Sequence, residues 1–241
     1  MKKFFGKLFF LMIGTLLNWQ MPTMAEPNIS SESFQKLIEQ GKTSFSIAST
    51  SQALLVISDT PSSNQGKIWL WEKSKDGWHK DLGPFPVTLG RNGVADVDQK
   101  HEGDGKSPQG IFKIGLVFGY SSKFETAMTY KQALEDDIWV DDPEAPDYNT
   151  WTKKEKTTAK SFEYLHRKDI LYKLAMVVEY NTDPIKKGLG SAIFIHIWKG
   201  AGSTTAGCVA FSEENLQLII RKLNPSMNPV IAIFPYYTNP N

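Results

Sequence analysis

Hydrophobic residues recur with a period of two in short runs along most of the chain that follows residue 50. The runs are rich in β-branched and aromatic side chains, and clusters of Gly, Pro, Asp and Asn separate them. Runs of this length and composition are typical of β-strands. We therefore predict strands at 53–57, 67–71, 78–81, 110–117, 174–180, 192–198, 208–211 and 229–234.

Two other segments have the three-to-four-residue apolar spacing of an amphipathic helix. The first covers 30–40, and the second begins after Ser212, whose hydroxyl suits an N-cap. Their apolar stripes are Phe34, Leu37 and Ile38 in the first, and Leu216, Ile219, Ile220 and Leu223 in the second. Asn224-Pro225 is expected to end the second helix.

The middle of the chain, roughly 121–170, shows little clean periodicity and contains several Asp and Pro residues. It predicts an irregular insertion that covers one face of the domain, and long insertions of this kind often carry function. The chain has no internal repeat or domain linker. The fold class that follows is one mainly β domain with a few helices.

The N-terminus has the pattern of a secretory signal peptide. Three lysines within the first seven residues precede an apolar run at 8–17, and Ala25 stands at a suitable cleavage position. A membrane-spanning helix needs roughly 20 apolar residues, so a permanent anchor is the weaker alternative. We predict a signal peptide at 1–25 that is cleaved near Ala25, a lead-in with a helix at 26–50, and the main domain at 51–241.

Composition argues against a disordered chain and against a nucleic-acid-binding protein. With 41% hydrophobic residues among 241, the chain can bury a sizeable core. The chain has 27 basic and 26 acidic residues, so removal of the three N-terminal lysines would leave a small excess of acidic residues. This charge balance gives no support to nucleic-acid binding.

Cys208 is the only cysteine, so an exported chain cannot pair it internally. His196 alternates with Phe194 and Trp198 in the strand before it, and these three are predicted to share one face. If the two strands are neighbours joined by the glycine-rich loop 199–207, the thiol and the imidazole meet, and the thiol can ionise. The alternative is an ordinary hairpin with a core histidine, and spacing alone does not decide between them.

Glycine at position 207 lets the main chain approach a ligand closely. The main-chain N–H groups of Gly207 and Cys208 could therefore face a developing oxyanion.

His196 is followed by the tetrapeptide Thr-Ala-Gly-Cys, which ends at Cys208. With this motif the chain resembles the L,D-transpeptidase catalytic domain family of the YkuD type, and within it a Gram-negative subgroup with a T-A-G-C motif. Four stretches carry the resemblance in order: EGDGKSPQG at 102–110, WVDDP at 139–143, YNTW at 148–151 and TAGCVA at 205–210. The resemblance covers about 86–234 and implies a β-sandwich or barrel-like domain.

The resemblance implies that Cys208 attacks an amide of a peptidoglycan stem peptide and forms an acyl-enzyme. His196 would act as general base and then acid, and the Gly207 and Cys208 amides would stabilise the oxyanion. No metal or organic cofactor is implied, and the expected location is the periplasm. An amine acceptor gives a crosslink, whereas water makes the protein a carboxypeptidase or amidase.

Four residues are candidates for binding the substrate: Thr205 of the motif, Arg167 for a carboxylate, and Tyr148 and Trp151 for stacking. For both aromatic residues, core packing is the alternative. Where the better-known family pattern has polar residues next to the motif, this chain has Ala206 and Ala210. The acceptor, the stem length and the oligomeric state therefore stay open, as does an inactive wall-binding module.

Overall fold

A computed structural model describes residues 29–235 and shows a mostly β architecture with two α-helices in that range. The predicted signal peptide at 1–25 lies outside the described residues. Within the described range no helix is long and apolar enough to cross a membrane.

The predicted helices and strands are confirmed, most of them with boundaries that differ by one to three residues, whereas the strand predicted at 78–81 continues to Thr88. The helices are α1 (Ser31–Gln40) and α2 (Glu213–Lys222). The strands are β1 (Gln52–Ser58), β2 (Gln65–Ser74), β3 (Gly77–Thr88), β4 (Gly110–Gly119), β5 (Tyr130–Gln132), β6 (Asp137–Val140), β7 (Trp151–Lys153), β8 (Phe162–Tyr164), β9 (Leu174–Val178), β10 (Phe194–Ile197), β11 (Val209–Phe211) and β12 (Val230–Phe234). Short 3₁₀ turns occupy Lys154–Lys156 and Pro225–Met227.

Eight strands form a closed ring in the order β12, β1, β2, β3, β11, β10, β9 and β4. The ring closes because β4 pairs with β12 as well as with β9, while β5 extends the sheet beyond β4. Closure leaves these eight strands without an open sheet edge. The mainly β fold with few helices is therefore confirmed, and of the two architectures that the family resemblance implied it is the barrel-like one.

The barrel interior is filled by alternate side chains from all eight strands of the ring. One side of α2 packs into the same cluster through Leu216, Ile219 and Ile220. The helix starts where predicted, because the Ser212 hydroxyl accepts the Asn215 N–H at 3.3 Å.

Helix α1 covers the outer face of β1 and β2. Its Phe34 ring stacks on Trp71 with a centroid separation of 4.2 Å and an interplanar angle of 5°. This packing explains why every residue of β1 is buried, because the strand has the interior on one side and the helix layer on the other.

A second sheet, in the order β7, β6 and β8, covers the outer face of β4, β9 and β10. The prediction of an irregular insertion at 121–170 is therefore wrong in part: the segment does cover one face, but as an ordered sheet. All four residues of β6 are buried, since Trp139 packs toward the barrel while Ile138 and Val140 pack on the opposite side. A strand buried on both faces shows no polar alternation.

Candidate active site

The candidate nucleophile and base lie on adjacent parallel strands. The register pairs Ile195 with Val209 and His196 with Ala210. Cys208, just before β11, consequently lies beside Phe194 on the outer face of the barrel, beneath the second sheet. The hairpin part of the alternative is wrong, because β10 and β11 run parallel. Its other part, a core histidine, agrees with the burial of His196.

Trp198 does not share the face of Phe194 and His196, which corrects the sequence prediction. Strand β10 ends at Ile197, and the Trp198 ring packs against the interior cluster. The alternation of side chains between the two faces stops where the strand ends, so the prediction that extended it to residue 198 is wrong.

The Cys208 thiol is held by the main chain that leads into β10. The residue is 6% exposed. The Phe194 N–H donates to Sγ at 3.4 Å, and the thiol donates to the Ala192 carbonyl at 3.4 Å. Burial, together with the nearby charge of Glu163, raises the pKa of the thiol to about 12. The sulfur is therefore protonated in this state.

The Ala192 carbonyl that accepts the hydrogen bond of the thiol is itself held in place by Asn149. The Asn149 Oδ1 accepts the Ala192 N–H at 3.1 Å and the Trp139 indole N–H at 2.8 Å. Its side-chain amide donates to two carbonyls of the turn at 180–181. Two of the stretches that carry the family resemblance thus meet at the backbone beside Cys208.

His196 is neutral and presents one unprotonated ring nitrogen. Its Nδ1 lies 2.8 Å from the Ile197 carbonyl. Because a carbonyl only accepts, the proton is on Nδ1 and the lone pair is on Nε2. Burial lowers the pKa of this 6%-exposed residue to about 4, so the imidazole is in the form that can take up a proton.

The loop before Cys208 is closed by its own hydrogen bonds. The Gly207 N–H donates to Thr205 Oγ1 at 3.1 Å, and that hydroxyl donates to the Cys208 carbonyl at 2.8 Å. Gly207 has a φ of +155°, and a Cβ there would lie 2.8 Å from the Lys106 carbonyl oxygen. Thr205 therefore stabilises the turn, and its contact with substrate stays a prediction.

A cavity of about 1150 Å³ opens beside the site. Tyr172 connects the two regions, because its ring lies edge-on to His196 at 5.2 Å and beneath the Arg167 guanidinium at 5.1 Å. Arg167 lines the cavity and forms a forked ion pair with Asp169, with contacts of 2.8 and 3.0 Å. This pair holds the pKa of Arg167 above its usual value. The predicted carboxylate-binding cation is therefore near the site but already paired.

The two aromatic candidates have different surroundings. Tyr148 is 1% exposed; its hydroxyl donates to Glu102 and accepts the Gly190 N–H at 3.1 Å. This buried position makes Tyr148 a packing residue and corrects the expected stacking on substrate. Trp151 is half-buried, with the Lys131 ammonium 3.7 Å from its ring centroid, so its stacking on substrate stays a prediction.

Sequence analysis missed Tyr172 and Glu163. The Tyr172 hydroxyl donates to the Glu163 carboxylate, and burial raises the pKa of that carboxyl. Extending the alternation of β9 backwards would place Tyr172 inside the barrel, whereas the turn closed by the Lys173 N–H and the Ile170 carbonyl directs it outward. No sequence signal distinguishes Glu163 from a solvated strand residue.

Comparison with known proteins gives one family match. The L,D-transpeptidase catalytic domain matches residues 56–231, well over half of the chain. One similar solved structure is that of the helical cell shape determining protein Pgp2 from Campylobacter jejuni, at 16% identity and a TM-score of 0.39. The similarity covers 78% of this chain and 49% of that structure, so the chain spans about half the length of that protein. A search of curated proteins gives no match.

Proposed function

Because the chain belongs to the L,D-transpeptidase catalytic domain family, we propose that it is a cysteine acyltransferase that acts on peptidoglycan stem peptides. The observation that supports this most directly is the shared face of Cys208 and His196 on parallel neighbouring strands. We expect the enzyme to act in the periplasm after export through the signal peptide predicted at 1–25. Retention of that segment as a membrane anchor is the alternative.

The reaction starts when the thiol leaves its resting hydrogen bond. Rotation about the Cα–Cβ bond of Cys208 breaks the contact with the Ala192 carbonyl and turns Sγ toward the imidazole. His196 Nε2 then takes the thiol proton, and the thiolate attacks the carbonyl carbon of the donor amide. Because burial raises the pKa of the thiol to about 12 and lowers the pKa of His196 to about 4, the proton transfer is unfavourable in the resting state and is completed only together with attack on a bound substrate.

The attack forms a C–S bond and places negative charge on the carbonyl oxygen. The main-chain N–H groups of Gly207 and Cys208 are the proposed donors to this oxyanion. In the resting state the Gly207 N–H donates to the Thr205 hydroxyl, so the oxyanion must compete with that hydroxyl. Thr205 would then keep its bond to the Cys208 carbonyl and hold the loop in place.

Collapse of the intermediate breaks the C–N bond of the donor. The imidazolium of His196 gives its proton to the leaving amine, and the acyl group stays on the sulfur. An acceptor then transfers its proton to His196 and attacks the thioester. An amine acceptor yields a new peptide crosslink and water yields a free carboxylate, while the thiol is regenerated in both cases.

Hydrolysis is the second candidate, and two alanines favour it. Ala206 is exposed beside the nucleophile and Ala210 is buried opposite His196. Neither can hydrogen-bond an acceptor peptide through its side chain. A carboxypeptidase or amidase needs only water at this position.

An inactive wall-binding module is the third candidate. It is favoured by a thiol whose partners in the resting state are main-chain groups and whose pKa is raised to about 12. Such a module would bind peptidoglycan sacculi and leave every stem peptide intact.

Incubation with tetrapeptide muropeptides separates the three candidates. The wild-type protein, Cys208→Ala and His196→Gln are compared with and without an acceptor peptide, and the products are identified by mass spectrometry. We expect release of D-alanine or a new crosslink with the wild type, none with Cys208→Ala, and a loss of about 10²-fold or more with His196→Gln. Equal product with Cys208→Ala would refute the proposal, and sacculus binding without product would favour the module.

A further inference from the structure

Glu163 presents a carboxyl group to the cavity beside the candidate catalytic pair. Its Oε2 accepts the Tyr172 hydroxyl, while Oε1 has no hydrogen-bond donor within residues 29–235. The residue keeps some accessible surface, and it forms part of the cavity wall. Half of this carboxyl group is therefore available to a ligand.

The surroundings of Glu163 favour a positively charged ligand. Asp141 and Glu102 are close enough for their charges to act on the Glu163 carboxyl. The Asp141 Oδ1 is itself buried without a hydrogen-bond partner. The neighbouring cation, Arg167, is already paired with Asp169. Burial and these neighbouring charges raise the pKa of the Glu163 carboxyl, and the charge of Arg167 offsets them only in part. A bound cation would therefore favour the ionised form of this carboxyl.

The donor set suits an ammonium group better than a metal ion. Among residues 29–235, no group of three His, Cys, Asp or Glu side chains converges as a metal site requires. An ammonium group carries three N–H donors and needs one strong carboxylate partner with weaker acceptors around it. Glu163 supplies that partner through Oε1 once the approach of the cation has ionised its carboxyl group.

Tyr172 lies between this carboxyl group and the candidate catalytic base. Its hydroxyl contacts Glu163, and its ring contacts His196 at 5.2 Å. A group held at Glu163 is therefore one side chain away from the base. We propose that Glu163 is a specificity-determining residue that binds the side-chain ammonium of the donor stem peptide, next to the amide that Cys208 attacks. The inference rests on the proposed function for the identity of the peptide.

The test uses two tetrapeptides that differ in a single group: one has a free side-chain amine, and in the other this amine is acetylated. Binding is measured by calorimetry in a Cys208→Ala background, so that turnover does not interfere. We expect the free amine to bind about 10- to 100-fold more tightly, the range for a charged hydrogen bond to a partly desolvated group. Glu163→Gln should bring the two affinities within about threefold, because its amide keeps the shape but not the charge.

Two control variants isolate the charge of Glu163. Glu135→Gln removes an exposed carboxylate from the same cavity and should leave the discrimination unchanged. Glu163→Asp keeps the charge on a shorter arm and should retain part of it. Melting temperatures show whether each variant is folded. Equal affinity for both peptides, no binding of either, or unchanged discrimination in a folded Glu163→Gln variant would overturn the inference.

Turnover by the protein with Cys208 intact separates this inference from the proposed function. Equal cleavage of both peptides would leave the enzyme assignment in place and refute the role of Glu163. Discrimination in binding without cleavage of either peptide would refute the acyltransferase and leave the ammonium site standing.

Discussion

Replacing Gly207 with alanine should destabilise the fold and displace the nucleophile. The residue has a φ of +155°, which side chains other than hydrogen rarely allow. An added Cβ would lie 2.8 Å from the Lys106 carbonyl oxygen and 3.2 Å from the Ile193 Cδ1. The Lys106 backbone cannot move aside freely, because its N–H is bonded to the Asp104 carboxylate at 2.9 Å.

A matched variant in the same loop separates the cost of backbone strain at Gly207 from the cost of steric overlap. Gly200 has a φ of +150°, but a Cβ there would meet nothing within 4 Å. Gly200→Ala should therefore cost only the backbone strain, about 1–3 kcal/mol. Gly207→Ala should cost that amount plus about 1–3 kcal/mol for the steric overlap. For a domain of this size the extra cost corresponds to about 2 to 12 °C in melting temperature.

Thermal melts followed by circular dichroism, with urea titrations on the same samples, measure the difference between the two variants. The rate of Cys208 acylation should fall in Gly207→Ala and stay near the wild-type rate in Gly200→Ala, because only the first moves the residue next to the thiol. If the two variants melt at the same temperature and acylate equally fast, the close approach of Gly207 to Lys106 is refuted.

Three further predictions concern the surroundings of the site. The pKa of His196 is about 4 in the folded protein and 6.5 ordinarily, so the unfolded chain binds a proton first and the free energy of unfolding should fall as the pH drops from about 6.5 to about 4. In urea titrations the wild type should lose about 3 kcal/mol more than His196→Gln over that range. Parallel pH profiles of the two proteins would contradict this. Lys100→Met leaves the 6%-exposed Asp104 carboxylate without its cation and should cost about 3 kcal/mol of unfolding free energy; an unchanged urea midpoint would count against the pair. Asn149→Ala removes the acceptor of the Ala192 N–H, so it should lower the free energy of unfolding by about 2 kcal/mol and speed iodoacetamide labelling of the thiol. Unchanged or slower labelling would show that Asn149 does not hold the Ala192 carbonyl against the thiol.

The barrel strands could be predicted because each has one face in a common interior. Leu54 and Val56 point inward from β1, and Ile231 and Ile233 do so from β12, with a period of two. The second sheet could not be predicted in the same way. Trp139 packs on the barrel side of β6 while Ile138 and Val140 pack on the other side, so burial of both faces removed the polar positions that would have marked the strand.

The candidate pair could be predicted from the single cysteine and a strand that carries a histidine. The parallel pairing could not, because a nine-residue loop at 199–207 is also compatible with a hairpin. Glu163 and Tyr172 become neighbours only through the packing of the second sheet on the barrel. Their sequence contexts resemble those of ordinary surface and core residues.

Intact-mass spectrometry after incubation with a carbapenem shows whether the sulfur of Cys208 forms an acyl-enzyme. We predict a single adduct on the wild-type protein, none on Cys208→Ala, and slower formation on His196→Gln. The absence of an adduct on the wild type, or an equal adduct on Cys208→Ala, would rule out Cys208 as the nucleophile that is acylated.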